Sequence, residues 1–181
     1  MRRDNPWLLV GMVTLFVVLA VVVRFVPHPY NFVPVGALAL FCGTYIRSRW
    51  GVLIPVAVMA ISDTIIGWHS LVLFTWGSYL LAGTVGWWVR RNRNLVGVVA
   101  GTAAGSVLFF VVTNFAVWAF TPLYTKTVAG LVQCFAMAIP FFRNTVAGDL
   151  FFVAAFFGAY AVARSLATVW PARHASAAHS A

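Results

Sequence analysis

The chain has 181 residues, of which 62% are apolar and 8% charged, and its 12 Lys and Arg against 3 Asp and Glu give a net charge of +9. Soluble domains run about 45–50% apolar and about 25% charged, so this composition excludes a soluble globular enzyme, a disordered tail and a collagen-like chain. With a mean hydropathy of +0.94 and recurring long apolar stretches, the solvent is a bilayer, and the basic excess raises the question of membrane side rather than of nucleic acid.

A spanning helix needs about 20 mostly apolar residues. The first such run is Trp7–Val23, behind Met1-Arg2-Arg3-Asp4. It lacks the small-x-small cleavage pattern of a signal peptide and ends at Arg24-Phe25-Val26-Pro27, so it reads as a retained first helix. Pro27, Pro29 and Pro34 then force an extended, turn-rich approach to Phe32–Ile46. That segment has only 15 residues, about 22 Å of helix, and is a short span. Its approach, with Asn31, must be capped by protein or bathed in water, because lipid does not tolerate irregular backbone. It serves either as a pocket lid or as a structural plug.

The next spans are Val52–Gly67, Leu71–Val89, Leu95–Phe120 and Thr145–Ala163. Between the last two lies Thr127–Phe142, which holds Gln133 and Pro140. It reads either as a further span or as an amphipathic helix at the surface. Six spans with cytoplasmic termini place nine Lys and Arg inside and three outside. Making Thr127–Phe142 a span worsens that split to eight against four, so the positive-inside rule favours the surface helix. The expected fold is an all-α polytopic bundle of six transmembrane helices. Its second helix is short, and an outer amphipathic helix precedes the last span. Residues 1–170 form one domain, and residues 171–181 form a disordered cytoplasmic tail.

Small residues let helices approach closely in lipid. They recur as Gly97, Gly101 and Gly105 on the fifth helix and as Ala155, Ala159 and Ala163 on the last. Each set reads as internal packing or as a docking face. Cys42 and Cys134 fall near opposite membrane faces and read as small apolar fillers.

Two of the acids, Asp63 and Asp149, lie inside expected spans, each about one helical turn below the outer surface. Intramembrane carboxylates need a partner or a wet cavity. On the same side the loops and helix ends carry Arg24, His28, Asn31, Trp68, His69, Asn114, Lys126, Arg143 and Asn144. Two readings remain open. Asp63 and Asp149 pair with Arg24 or Arg143 and pin helix ends, or the cluster and its aromatics (Trp68, Trp76, Tyr79, Trp118, Tyr124) form an outward-facing ligand pocket. There is no HExxH, GxSxG, Walker A or GxGxxG motif, so no catalytic residue, metal ligand set or cofactor is assigned and the chain is not expected to be an enzyme.

The stretch from Arg24 through Pro27-His28-Pro29-Tyr30-Asn31 to Phe41, then Ser62-Asp63 with Gly67-Trp68-His69-Ser70, and Ile139 through Arg143-Asn144 to Asp149, resembles an uncharacterised family of bacterial membrane proteins classed with transport proteins. That family is similar to the substrate-binding S-components of energy-coupling-factor vitamin transporters. The resemblance implies six helices and capture of a solute from outside. It also implies docking on a transmembrane scaffold driven by cytoplasmic ATPases. It carries His28, Asn31, Asp63, His69, Arg143, Asn144 and Asp149 as pattern residues. The first helix departs from the S-component pattern, because Trp7–Val23 has no Ala-x3-Ala docking face.

The expected protein is therefore a bacterial inner-membrane binding subunit for a small polar or anionic solute. Its ligand residues would be His28, Asn31, Asp63, Trp68, His69, Asn114, Lys126, Arg143, Asn144 and Asp149. Its expected partners are lipid, the solute and a scaffold subunit, without nucleic acid. The alternatives are a membrane scaffold or assembly protein acting through Gly97, Gly101 and Gly105, and a proton-coupled carrier using Asp63 and Asp149.

Overall fold

The computed structural model describes residues 5–178, with side chains from 5 to 168. The expected tail from 171 onward falls on residues whose side chains, and at 179–181 backbone, lie outside the described part, as do Arg2, Arg3 and Arg173.

Within the described residues the chain is all-α. The helices are α1 (Pro6–Phe25), α2 (Val35–Tyr45), α3 (Leu53–Ile66, entered by a 3₁₀ turn at Arg49–Val52), α4 (Val72–Val89), α5 (Leu95–Phe120) and α6 (Val128–Ala178). Four segments are long and apolar enough to cross a membrane: Pro6–Phe25, Arg49–Ile66, Leu95–Phe120 and Val128–Thr168. The protein is a multi-pass membrane protein.

Local chemistry sets the helix starts. The Asn5 side chain accepts from Trp7 N at 3.0 Å ahead of Pro6 at the first helical position, and Asn94 accepts from Gly97 N at 2.7 Å. Both satisfy backbone donors that a helix N-terminus otherwise leaves open. α3 stops at Gly67, whose φ of 119° suits a residue without Cβ.

The short helix α2 is the hub, packed by α1, α3, α4, α5 and α6. Nine of its 11 residues are buried, as befits a helix that is apolar on every side. At about 1.5 Å per residue it covers about 16 Å, roughly half of a bilayer core of about 30 Å. Its C-terminal half meets α4 with Gly43 against the Gly83 carbonyl and Gly86 against Gly43 and the Leu40 carbonyl, so an added Cβ at Gly43 or Gly86 would run into the opposing backbone. The glycine repeat on α5 packs against side chains of α4. Gly101 faces Val89 and Gly105 faces Ala82, both on α4, so that stripe is covered from within. On α6, Ala155, Gly158 and Ala159 remain exposed. α1 is fastened by Phe16, which stacks on Phe156 at 4.0 Å and meets Phe41 edge-on at 5.0 Å. Its outer face is bare apolar surface.

One expected boundary is overturned. There is no separate amphipathic helix over Thr127–Phe142, because that segment and the last span form the single helix α6. Proline inside a helix removes one backbone bond and costs about 3 kcal/mol. Here packing on α5 offsets Pro140, with Cys134 and Ala138 buried and Phe110 meeting Phe135 at 5.3 Å and Phe142 at 4.6 Å. No glycine follows Phe142 to stop the helix.

The bundle has two poles. At one, Arg90 reaches across from the end of α4 and donates to the carbonyls of Gly43 (2.7 Å), Thr44 (3.2 Å) and Ile46. It thereby satisfies the orphan acceptors and negative end of α2. Burial, then repulsion from Arg93 and Arg47, lowers its pKa from the ordinary arginine value. Arg93 lies over Tyr45 and Arg164 over Tyr160 at the same pole. The opposite pole holds the polar cluster.

A candidate solute cavity over the short helix

Because α2 crosses only part of the bundle, space remains above its N-terminus. A cavity of about 760 Å³ occupies it, within the size of ordinary small-molecule sites. The approach loop forms one wall through Val26, Pro27, His28, Tyr30, Asn31 and Val33. α3, α4 and the connection between them supply Met59, Asp63, His69, Thr75 and Tyr79, and α5 and α6 supply Phe109, Phe110, Thr113, Asn114, Ala138, Phe141, Phe142 and Thr145.

The loop is held in shape. Phe32 N donates to Pro29 O at 3.0 Å, and the Asn144 amide donates to Tyr30 O at 3.1 Å. Asn31 takes the left-handed conformation, φ 64°, which asparagine tolerates better than most residues. The sequence left lid and plug open; the loop is a wall of the cavity.

Asp63 is 2% exposed. Its Oδ1 pairs with Arg24 Nη2, and its Oδ2 accepts from Trp76 Nε1 at 2.8 Å. Arg24 Nη1 also points at Met59 Sδ, 2.7 Å away. A buried carboxylate thus has both oxygens engaged and its charge balanced, and it ties α1, α3 and α4 together. This is the helix-pinning reading for Asp63. Trp68 packs against Trp76 at 5.7 Å rather than lining the cavity.

Asp149 is treated differently. It is 8% exposed and has no cation. Ser106 Oγ donates to its Oδ2 at 2.7 Å. Its other oxygen lies against Gly36, at a position where a Cβ would collide with it. Gly36 is in the first turn of α2, whose N-terminus has no side-chain cap. The positive end of that helix therefore faces the carboxylate. Asp149 lines a second, small pocket of about 20 Å³. This pocket shares Asn31, Val33, Tyr79, Phe109 and Thr145 with the large cavity, which it adjoins.

Of the ten residues selected from sequence, the large cavity thus brings together His28, Asn31, Asp63, His69 and Asn114, with Asp149 in the adjoining pocket. Trp68, Lys126, Arg143 and Asn144 do not line either. Lys126 folds back on the end of α5, donating to the carbonyls of Trp118 and Thr121. It does there what Arg90 does for α2. Arg143 is exposed, and Asn144 fastens the loop. Sequence reasoning missed Ser106, Thr102 and Thr145, because a hydroxyl in an apolar helix carries no signal of its direction. Among the described residues no three His, Cys, Asp or Glu side chains converge as a metal set, and Cys42 and Cys134 are free and buried.

The architecture defines a class, a helical membrane protein whose short central helix leaves a cavity with mixed aromatic and polar walls. The chain belongs to the family of unknown function DUF6580, whose model matches residues 5–172. No curated protein matches the chain, and no solved structure does.

Proposed function

We propose that the chain is a solute-binding membrane subunit that captures a small organic molecule in the cavity above α2 and passes it to a transport partner. The observation that carries this reading is the cavity itself, about 760 Å³ between helices, walled by Phe109, Phe110, Phe141, Phe142 and Tyr79 with His28, Asn31, His69 and Asn114 interspersed. An apolar enclosure with a few placed polar groups is how proteins orient small ligands. The arginine-rich pole, with Arg47, Arg49, Arg90, Arg91, Arg93 and Arg164, faces the cytoplasm under the positive-inside rule. The cavity then opens to the outside of a bacterial inner membrane.

The solute is polar but not an anion. Arg24 is committed to Asp63, Lys126 caps α5, and Arg143 lies off the cavity. The chain has no ATP-binding motif, so concentrating the solute draws on a second subunit as partner or on an ion gradient. The S-component resemblance makes that partner a transmembrane scaffold with cytoplasmic ATPases. The scaffold-protein alternative loses its proposed contact, since α4 covers Gly101 and Gly105.

The test is to purify the full chain in mild detergent and identify small molecules released on denaturation by mass spectrometry. Ala138→Phe, which fills the cavity from α6, should retain folding and lose the released molecule. The same molecule retained at the wild-type amount in that variant would overturn the proposal.

A further inference from the structure

Once the Arg24–Asp63 pair is set aside, Asp149 is the acid left without a cation at the cavity. It is 92% buried by its 8% exposure. Its Oδ2 is held by Ser106, whereas its Oδ1 accepts no hydrogen bond among the described residues. The pocket beside it measures about 20 Å³, room for one group the size of a water molecule.

Two of the hydroxyls around that space can only accept. Thr102 Oγ1 spends its proton on Val98 O at 2.8 Å, and Thr145 Oγ1 spends its proton on Phe141 O at 3.0 Å. Each hydroxyl then has only lone pairs left to offer. Thr145 lies one helical turn from Asp149 toward the large cavity, Thr102 lies about one turn the other way along α5, and Asn31, Tyr79 and apolar side chains complete the wall. Tyr79 and Phe109, tilted to one another with ring centroids 5.1 Å apart, sit on the boundary shared with the large cavity, where aromatic rings favour a cation.

We infer that this pocket receives the protonated primary amine of the solute. The ammonium nitrogen fills the space, its protons meet Asp149 Oδ1 and Thr145, and the body of the molecule extends past Tyr79 and Phe109 into the large cavity. This inference rests on the solute-binding reading and names the substrate class, a small organic primary amine. Ser106 fixes the rotamer of Asp149, so the acceptor is in place before the ligand arrives. An anion is repelled here, and a quaternary ammonium is too large.

The test uses the full chain in lipid nanodiscs and isothermal titration with 2-phenylethylamine, its N,N,N-trimethyl derivative, 2-phenylethanol and phenylacetate, at constant ionic strength. The primary amine should bind at least tenfold more tightly than each of the others. Asp149→Asn should weaken amine binding at least tenfold. Thr145→Val, which keeps the side-chain shape, should weaken it several-fold and guards against a folding defect in the first variant. The assignment is overturned by equal binding of the alcohol or the trimethylated amine, by unchanged amine affinity in both variants, or by sodium chloride alone abolishing amine binding, which would mark a sodium site. If alcohol and amine bind alike and Ala138→Phe removes both, the cavity reading stands and the amine assignment falls. If no probe binds, the amine assignment falls, and the co-purification result decides the cavity reading on its own.

Discussion

Arg24→Gln removes the cation from a carboxylate that is 2% exposed while leaving Trp76 Nε1 as its remaining donor at 2.8 Å. Breaking one partner of a buried pair costs about 3–5 kcal/mol, because the survivor keeps its desolvation penalty and loses its compensation. Arg24 is itself 13% exposed at the side chain, so screening by solvent is modest, and the expectation sits at the lower end, about 3 kcal/mol. That is a shift of about a hundredfold in the folding equilibrium, since about 1.4 kcal/mol is tenfold. The double variant Arg24→Met with Asp63→Leu removes both charges and fills similar volume, and should return to within about 1–2 kcal/mol of wild type. The assay is reversible unfolding by sodium dodecyl sulfate in mixed micelles, followed by far-ultraviolet circular dichroism. A single variant within about 1 kcal/mol of wild type, or a double variant as damaged as the single, would refute the claim that this pair pins α1 to α3.

The helix contacts and caps make further predictions. Gly86→Ala places a methyl group against the backbone of α2 at Gly43 and Leu40 and should cost about 3 kcal/mol or prevent folding, read as loss of a monodisperse peak on size exclusion. Gly158→Ala meets open space and should be neutral or stabilising by up to about 1 kcal/mol in the same assay. Arg90→Ala strips the donors from the end of α2 and should cost about 1.5–3 kcal/mol, with earlier amide exchange at Cys42–Ile46 as the local signature. Lys126→Ala should fray the end of α5 by the same measure. Arg143→Gln should leave both stability and solute binding unchanged, and a tenfold loss of binding in it would return that cation to the site.

Much of the bundle was legible in the sequence. A bilayer imposes one rule on every residue of a span, and the apolar runs followed it at Trp7–Val23, Val52–Gly67 and Leu95–Phe120. The reading failed at Pro140, where local helix chemistry predicts a break and tertiary packing of Cys134, Ala138 and Phe142 against α5 prevails. The polar pole was legible as a set but not as roles. Arg24, Lys126 and Arg143 look alike in sequence, yet one neutralises an acid, one caps a helix and one is exposed. Which carbonyls or carboxylates a long side chain meets depends on contacts between helices, and no periodicity encodes it. Ser106 and Thr102 were invisible for a similar reason. Hydroxyls in apolar helices usually bond back to their own turn, and only the fold turns one of them toward Asp149.

The length of α2 links fold and site. A helix of 11 residues covers about half of the hydrocarbon thickness, and the remaining depth has to be filled by something. Three prolines keep residues 26–34 out of the helical conformation, so the chain cannot fill it with another turn. Irregular backbone at membrane depth survives only when it is covered by protein or lines a polar cavity, and here Asn31 lies on the boundary of both pockets. The same shortness buries the N-terminus of α2 instead of leaving it in the headgroup layer, and it is there that Asp149 and Gly36 meet. Cavity, helix terminus and uncompensated carboxylate thus follow from one feature, a second helix too short for its membrane. A variant that lengthened α2 by a turn would fill the cavity and move the helix terminus off Asp149 together, whereas substitutions at the arginine pole would touch neither.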